Sequence, residues 1–253
     1  MKADHLPPFR RDSVDPAWES HSAWKAKLVR DRETASMNQT PEQRAITRTL
    51  MERALESGAD GLALTGSTAR DRRTAISDLD YHVVGSRPRH HDLPDEVDIY
   101  AGDSNSFWQK LHSGEDFVQW TLRFGCILFD RGIFRAGLKA IATERLWPDP
   151  GLKLRRLPQL RDLSIRLLDM EDRDAAQDQV RATLTSASRA LLLQEGIFPL
   201  ARSELPAQLR AAGQPDLAAA LDQVIVDQTL SLQKLRRRLA TVDPVLHMAD
   251  TLS

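Results

Sequence analysis

Two aspartates separated by a single residue form the sharpest chemical pattern in this chain. Asp78 and Asp80 flank Leu79, and residues that favour β-strands follow as far as Val84. Because strand side chains alternate between the two faces of a sheet, we expect both aspartates on one side and Leu79 in the core. Adjacent carboxylates repel each other unless a cation lies between them, and Mg²⁺ takes oxygen ligands of this kind. The pair therefore predicts a magnesium site at the start of a strand.

A glycine and a serine lie shortly before the aspartates, at the end of another strand-like run. The apolar residues Leu62–Leu64 predict a buried strand that ends in a turn at Gly66. Glycine lets the backbone approach a phosphate closely, and the amide and hydroxyl of Ser67 can donate to phosphate oxygens. Arg70 or Arg73 would add a guanidinium fork, which suits phosphate, although a solvated charged turn explains these arginines about as well.

A third carboxylate follows on the next strand-like segment. Residues 96–100 alternate between polar and apolar side chains, which predicts a strand with Val97 and Ile99 facing inward. Asp98 then lies on the opposite face from these two apolar residues.

The order of these features resembles the Gly-Ser…Asp-x-Asp signature of the polymerase-β-like nucleotidyltransferases. Gly66-Ser67 precedes the Asp78–Asp80 segment by an eleven-residue step, and each motif adjoins a strand-like run. The resemblance covers roughly residues 41–145. Each short motif alone recurs by chance, but the ordered set is more specific.

The resemblance implies roles for the candidate residues. Asp78, Asp80 and Asp98 would hold two Mg²⁺ ions, and Asp98 would also take the acceptor's proton as general base. Gly66 and Ser67 would bind the departing pyrophosphate. The donor would be ATP or another nucleoside triphosphate, so the chain would be a nucleotide-binding and metal-binding transferase.

The C-terminal part of the chain has a different pattern. A proline- and glycine-rich stretch at 147–151 indicates a linker, and the sequence beyond it has helical periodicity, including one long helix over 217–239. This part resembles the C-terminal helical domain of kanamycin-type nucleotidyltransferases. We expect an N-terminal arm and helix at 1–39, a nucleotidyltransferase domain at 40–147 and a helical bundle at 152–250. The fold class is therefore α+β: a mixed β-sheet flanked by helices, followed by an all-α antiparallel bundle.

The acceptor is the least determined part of this interpretation. The resemblance suggests a small hydroxylated molecule such as an aminoglycoside, which would connect the protein with antibiotic resistance. Kanamycin-type enzymes tend to carry a glutamate as base, whereas Asp98 is shorter by one methylene. Two alternatives stay open: a toxin–antitoxin-type nucleotidyltransferase that acts on a protein or on tRNA, and a catalytically inactive nucleotide-binding module.

Composition narrows the class of protein further. The chain has 253 residues and a formal net charge of −1, so no overall positive field attracts nucleic acid or an anionic membrane. Cys126 is the only cysteine, which excludes an internal disulfide. No apolar run is long enough to cross a bilayer and no signal peptide is recognisable, so we expect a cytoplasmic protein. The oligomeric state is open, with a homodimer as one option.

Two helix starts are marked before the first strand. Asp15 followed by Pro16 predicts a helix that reaches about Arg32. Thr40, with proline next and glutamine three residues on, predicts a capping box for a helix that stops at Gly58. The second helix would lead directly into the strand before Gly66.

Overall fold

Four strands form one mixed β-sheet in the N-terminal part of the chain. The structure is a computed structural model that describes residues 14–73, 77–227 and 229–250. The strand order is β3-β2-β1-β4; β1 is antiparallel to both of its neighbours, and β2 is parallel to β3. The strands are β1 (Gly61–Leu64), β2 (Leu79–Val84), β3 (Val97–Gly102) and β4 (Cys126–Asp130).

Helices cover both faces of this sheet. On one face, leucines of β1 and β2 pack against α2 in a buried cluster that includes Leu50 and Leu79. On the other face, Ala63 and Ile127 pack against aromatic and aliphatic residues of α4, α5 and α6. These helices are α1 (His21–Met37), α2 (Pro41–Glu56), α3 (Gly66–Ala69), α4 (Ser104–Ser113), α5 (Asp116–Phe124) and α6 (Ile133–Glu144).

The first two helices start at polar caps, though one prediction was wrong. Thr40 forms the predicted capping box at the start of α2. Asp15 caps only a 3₁₀ turn, Pro16–Trp18, instead of a helix that reaches Arg32. The backbone is extended again at Ser20, whose hydroxyl accepts an amide hydrogen bond and starts α1 afresh.

Helix α1 covers the outer edge of the sheet. The carboxylate of Asp31 accepts the amide of Ile127 in β4 at 2.9 Å, and the guanidinium of Arg32 donates to the carbonyl of Leu128. Lys27 is 7% exposed and donates to both oxygens of Asp31 at 3.0 and 3.1 Å. Side chains thus replace a neighbouring strand at β4, which protects the edge against pairing with another chain.

The remaining helices form the second of two compact units, which meet in sequence between Pro148 and Asp149. Their leucine, valine and alanine side chains form one buried cluster. The short turn between the first two of these helices makes them antiparallel neighbours. The helices are α7 (Pro150–Asp169), α8 (Arg173–Gln194), α9 (Leu205–Ala211), α10 (Pro215–Val226), α11 (Leu232–Leu239) and α12 (Asp243–Asp250).

The single long helix predicted over 217–239 was wrong. The chain leaves the helix at Asp227, where the backbone is extended and the carboxylate accepts the amide and hydroxyl of Thr229. Ser231 then caps α11. Local side-chain bonds to the backbone compete with helical ones, and here they divide the helix in two. The α+β class with a mixed sheet and a helical region is confirmed.

Candidate active site

Two of the predicted acids are direct neighbours on adjacent strands. Asp80 in β2 and Asp98 in β3 are register partners in the parallel pair, so their side chains lie on the same face of the sheet. Asp98 is exposed and Asp80 is half-buried, whereas their chain neighbours Leu79 and Ile99 are buried. Parallel neighbours lie about 4.8 Å apart, so these two carboxylates are carried by adjacent strands at the same level of the sheet.

The third acid lies just outside the strand. Asp78 directly precedes β2 and is exposed to solvent. The amide of Leu79 donates to the carbonyl of Glu96 at 2.7 Å, and this bond fixes the start of β2 against the start of β3. The predicted alternation therefore holds for Asp80 and Asp98, with Asp78 at the point where β2 begins.

Gly66 is fitted against Asp80. Its φ is +66°, and a Cβ built on it would lie 2.0 Å from Oδ2 of Asp80 and 2.8 Å from Cγ. The preceding residue, Thr65, donates its amide to the carbonyl of Asp80 at 2.8 Å. Both the left-handed backbone and the contact require glycine, because any side chain would displace the carboxylate. The turn at Gly66 and the carboxylate of Asp80 are therefore in direct contact.

The two candidate arginines have different surroundings. The guanidinium of Arg70 lies over the ring of Phe124 in α5, 5.3 Å from its centroid. Arg73 instead donates from Nε and Nη2 to the carbonyl of Ser77, at 3.3 and 3.2 Å. Arg70 directly follows the Gly66–Ala69 turn, while Arg73 is bonded to the chain ahead of β2.

A buried histidine, which the sequence reasoning missed, lies on the same face two residues beyond Asp80. His82 is 2% exposed, and its Nδ1 is 3.0 Å from the hydroxyl of Thr121. That hydroxyl donates to the carbonyl of Phe117, so it accepts the Nδ1 proton of a neutral imidazole. Burial, with a smaller effect from Lys110, lowers the pKa of His82 to about 3. The face thus passes from a half-buried acid to a buried neutral ring within two residues.

The side chains around Asp80 can be compared with what a magnesium ion requires. Among the described residues, no group of three or more histidine, cysteine, aspartate or glutamate side chains is placed to hold a metal ion by itself. Mg²⁺ commonly binds through one or two carboxylates, and substrate phosphates and water complete its shell. The Asp80 and Asp98 pair, beside the half-buried Gly66, fits that second kind of site.

A charged depression of about 480 Å³ lies elsewhere, beside the loop that joins β2 and β3. Arg53 and Asp92 form a two-pronged ion pair there, at 2.7 and 2.8 Å. The hydrogen bonds from Arg53 lower the pKa of Asp92 to about 2. This pair fastens the loop to α2 and has no part in the candidate site.

Comparison with known proteins adds little to this geometry. No family model matches the chain, and no curated protein matches it. Among solved structures, the crystal structure of a nucleotidyltransferase-like protein from Exiguobacterium sibiricum is similar at 19% identity, over 80% of this chain and 73% of that chain. Its TM-score is 0.42, and a likeness at that level carries no argument. None of the described helices combines the length and apolar character needed to span a membrane.

Proposed function

We propose that the protein is a Mg²⁺-dependent nucleotidyltransferase that moves a nucleoside monophosphate onto a hydroxyl of a small-molecule acceptor. One observation carries the proposal: Asp80 and Asp98 are register partners, and Asp80 is packed against a glycine that tolerates no side chain. Like charges on adjacent strands repel each other, and a divalent cation bound between them would offset that repulsion. Gly66 and Ser67 are half-buried, and glycine lets a phosphate that accompanies such a cation approach the backbone closely.

Asp80 and Asp98 would hold the metal, with Asp78 contributing from the residue before β2. The family resemblance suggests two ions shared among these three carboxylates. When bound, Mg²⁺ would neutralise the phosphate oxygens and stabilise the entering and leaving oxygens of an in-line displacement.

The reaction follows from what the residues can donate and accept. The acceptor's hydroxyl oxygen attacks the α-phosphorus, a new P–O bond forms, and the bond to the bridging oxygen breaks to release pyrophosphate. Asp98 is exposed on the outer strand of the sheet and would take the hydroxyl proton. Its exposure leaves it accessible to a small acceptor.

The phosphates would be bound on the other side of Asp80. Gly66 and Ser67 would donate backbone and hydroxyl groups to the pyrophosphate oxygens. Arg70 would add a charge-assisted fork, and we favour it over Arg73 because it directly follows the Gly66–Ala69 turn. ATP is the donor we expect first, and an aminoglycoside-like molecule is the acceptor that the resemblance suggests.

Calorimetric titration with ATP and the other nucleoside triphosphates, with and without Mg²⁺, tests the proposal. The native chain should bind a nucleotide only when Mg²⁺ is present, and the double variant Asp78→Asn/Asp80→Asn should not bind. Asp95→Asn/Glu96→Gln is the matched control, because it removes two exposed negative charges just before β3.

The control should bind as the native chain does. Absence of Mg²⁺-dependent binding for every nucleotide would overturn the proposal, as would equal binding by the Asp78→Asn/Asp80→Asn variant. Where binding is found, a screen of hydroxylated acceptors for pyrophosphate release would follow.

A further inference from the structure

An aromatic ring underlies the arginine that follows the Gly66-Ser67 turn. The guanidinium of Arg70 lies 5.3 Å from the centroid of the Phe124 ring, within the range of a cation–π contact. Phe124 is the last residue of α5 and is 8% exposed. One helical turn earlier, the ring of Trp120 packs on it, with centroids 5.7 Å apart and planes at 60°. The ring beneath Arg70 is therefore itself held in place.

This arrangement matters because arginine is a flexible side chain. A free guanidinium must lose rotamer entropy before it can bind a phosphate with two parallel hydrogen bonds. A guanidinium held over an aromatic ring has less rotamer freedom left to lose, and its N–H groups can still donate to phosphate oxygens. Arg70 directly follows α3, the short helix that contains Gly66 and Ser67.

We propose that Phe124 is a positioning residue for nucleotide binding: its ring holds Arg70 in the orientation that receives the triphosphate beside Gly66-Ser67. The inference rests on the proposed function, and it names a side chain about sixty residues from the motif as part of the phosphate site. Phe124 would not touch the nucleotide, and it would act only through Arg70.

Calorimetric titration of Mg²⁺–ATP into Phe124 variants tests this role. Phe124→Leu removes the ring but keeps an apolar side chain, and we expect affinity to fall roughly 3- to 10-fold, as for loss of a cation–π contact. Phe124→Tyr keeps the ring and should restore affinity to within about twofold of the native chain. Phe129→Leu is the matched control: Phe129 is 6% exposed, lies in β4, and is not one of the rings under a cation among the described residues.

A thermodynamic cycle with Arg70 separates positioning from a purely structural effect. In an Arg70→Gln background, Phe124→Leu should cause no further loss of affinity, because the group that it positions is absent. Urea unfolding should show similar destabilisation for Phe124→Leu and Phe129→Leu, while only Phe124→Leu weakens binding. If Phe124→Leu does not fold, Phe124→Met takes its place.

The outcomes distinguish this inference from the proposed function. Suppose the native chain binds Mg²⁺–ATP and Asp80→Asn abolishes binding, but Phe124→Leu binds normally or weakens binding equally in the Arg70→Gln background. The positioning role is then wrong and the proposed function stands. If the native chain binds no nucleotide, both fall.

Discussion

Carboxylates occur in two opposite settings at the two edges of the same sheet. At the outer edge of β4, Asp31 is paired with Lys27 and accepts the amide of Ile127. At the other edge, Asp80 and Asp98 are like-charged partners on β2 and β3, and Asp98 is exposed. The first arrangement joins opposite charges and closes a strand edge, whereas the second sets like charges side by side where solvent and ligands have access.

The difference shows how to separate a structural carboxylate from a functional one. Removing a buried, paired carboxylate leaves its partner as an unpaired buried charge and should destabilise the fold strongly. Removing one of two like charges relieves repulsion and should cost nothing in stability. Stability and nucleotide binding should therefore respond in opposite ways to substitutions at the two edges.

Asp31→Ala should lower the free energy of unfolding by about 3 kcal/mol, because Lys27 loses its partner and the amide of Ile127 loses its acceptor. Urea unfolding measures the change, and nucleotide affinity in the folded fraction should stay native. The double variant Lys27→Met/Asp31→Leu should recover much of the loss. A loss below about 1 kcal/mol for Asp31→Ala would mean that this edge is not held by the pair.

His82 lies on the same face of the sheet as Asp80, two residues further on, but it is buried and neutral. Burial lowers its pKa to about 3, so as the pH falls the unfolded chain takes up the proton first. The stability that its neutrality contributes is present above pH 6.5 and is lost towards pH 3, amounting to about 2 kcal/mol between about pH 7.5 and 5.

Unfolding of the native chain and His82→Phe across this pH range measures the effect. Phenylalanine preserves contact with the surrounding rings of Tyr100 and Phe117. The hydroxyl of Thr121 keeps its hydrogen bond to the carbonyl of Phe117. The difference in stability between the two proteins should change with pH by the stated amount. A constant difference would show that folding leaves the pKa of His82 unchanged.

Gly66→Ala should destabilise the fold by about 2 kcal/mol, because alanine is strained at the positive φ of this position and its methyl group would displace the Asp80 carboxylate. The same displacement should weaken Mg²⁺–ATP binding. Gly58→Ala isolates the backbone effect: Gly58 has a φ of +80° and open space around its Cα, so only about 1 kcal/mol is expected. Equal effects for both variants would show that the close contact between Gly66 and Asp80 contributes nothing to stability.

Asp98→Asn should raise the free energy of unfolding slightly, by about 0.5 kcal/mol, because it removes a like charge beside Asp80. The same change should reduce Mg²⁺–nucleotide affinity, which calorimetry would detect. Asp95→Asn, another exposed acid close in sequence, serves as the control and should alter neither property. Destabilisation by Asp98→Asn would place Asp98 among the structural carboxylates instead.

Local patterns allowed the sequence to predict much of this fold. Alternation predicted Ile99 as buried and Asp98 on the opposite face, and the capping box at Thr40 is confirmed. These features depend on residues within a few positions of each other. The fold class of a mixed sheet with helices followed by a helical region is confirmed for the same reason.

Contacts between distant segments could not be read from the pattern. Asp31 bonds to Ile127 across 96 residues, and Phe124 lies beneath Arg70 only because α5 returns across the sheet. At the start of helix α6 the carboxylate of Asp130 accepts the amides of Phe134 and Arg135, and nothing in the sequence reasoning predicted this helix. The break at Asp227 was missed because a short-range side-chain turn interrupted an otherwise regular apolar period.

Energetic coupling between Asp80 and Asp98 would test the central claim most directly. Urea unfolding of the native chain, both single asparagine variants and the double variant gives the coupling free energy, and the cycle is run with and without Mg²⁺ and ATP. We expect weak repulsion without the metal and nucleotide, and a favourable coupling above about 1 kcal/mol with them, because both carboxylates would then share the cation. The same coupling under both conditions would contradict the claim that the two aspartates form one metal-binding site.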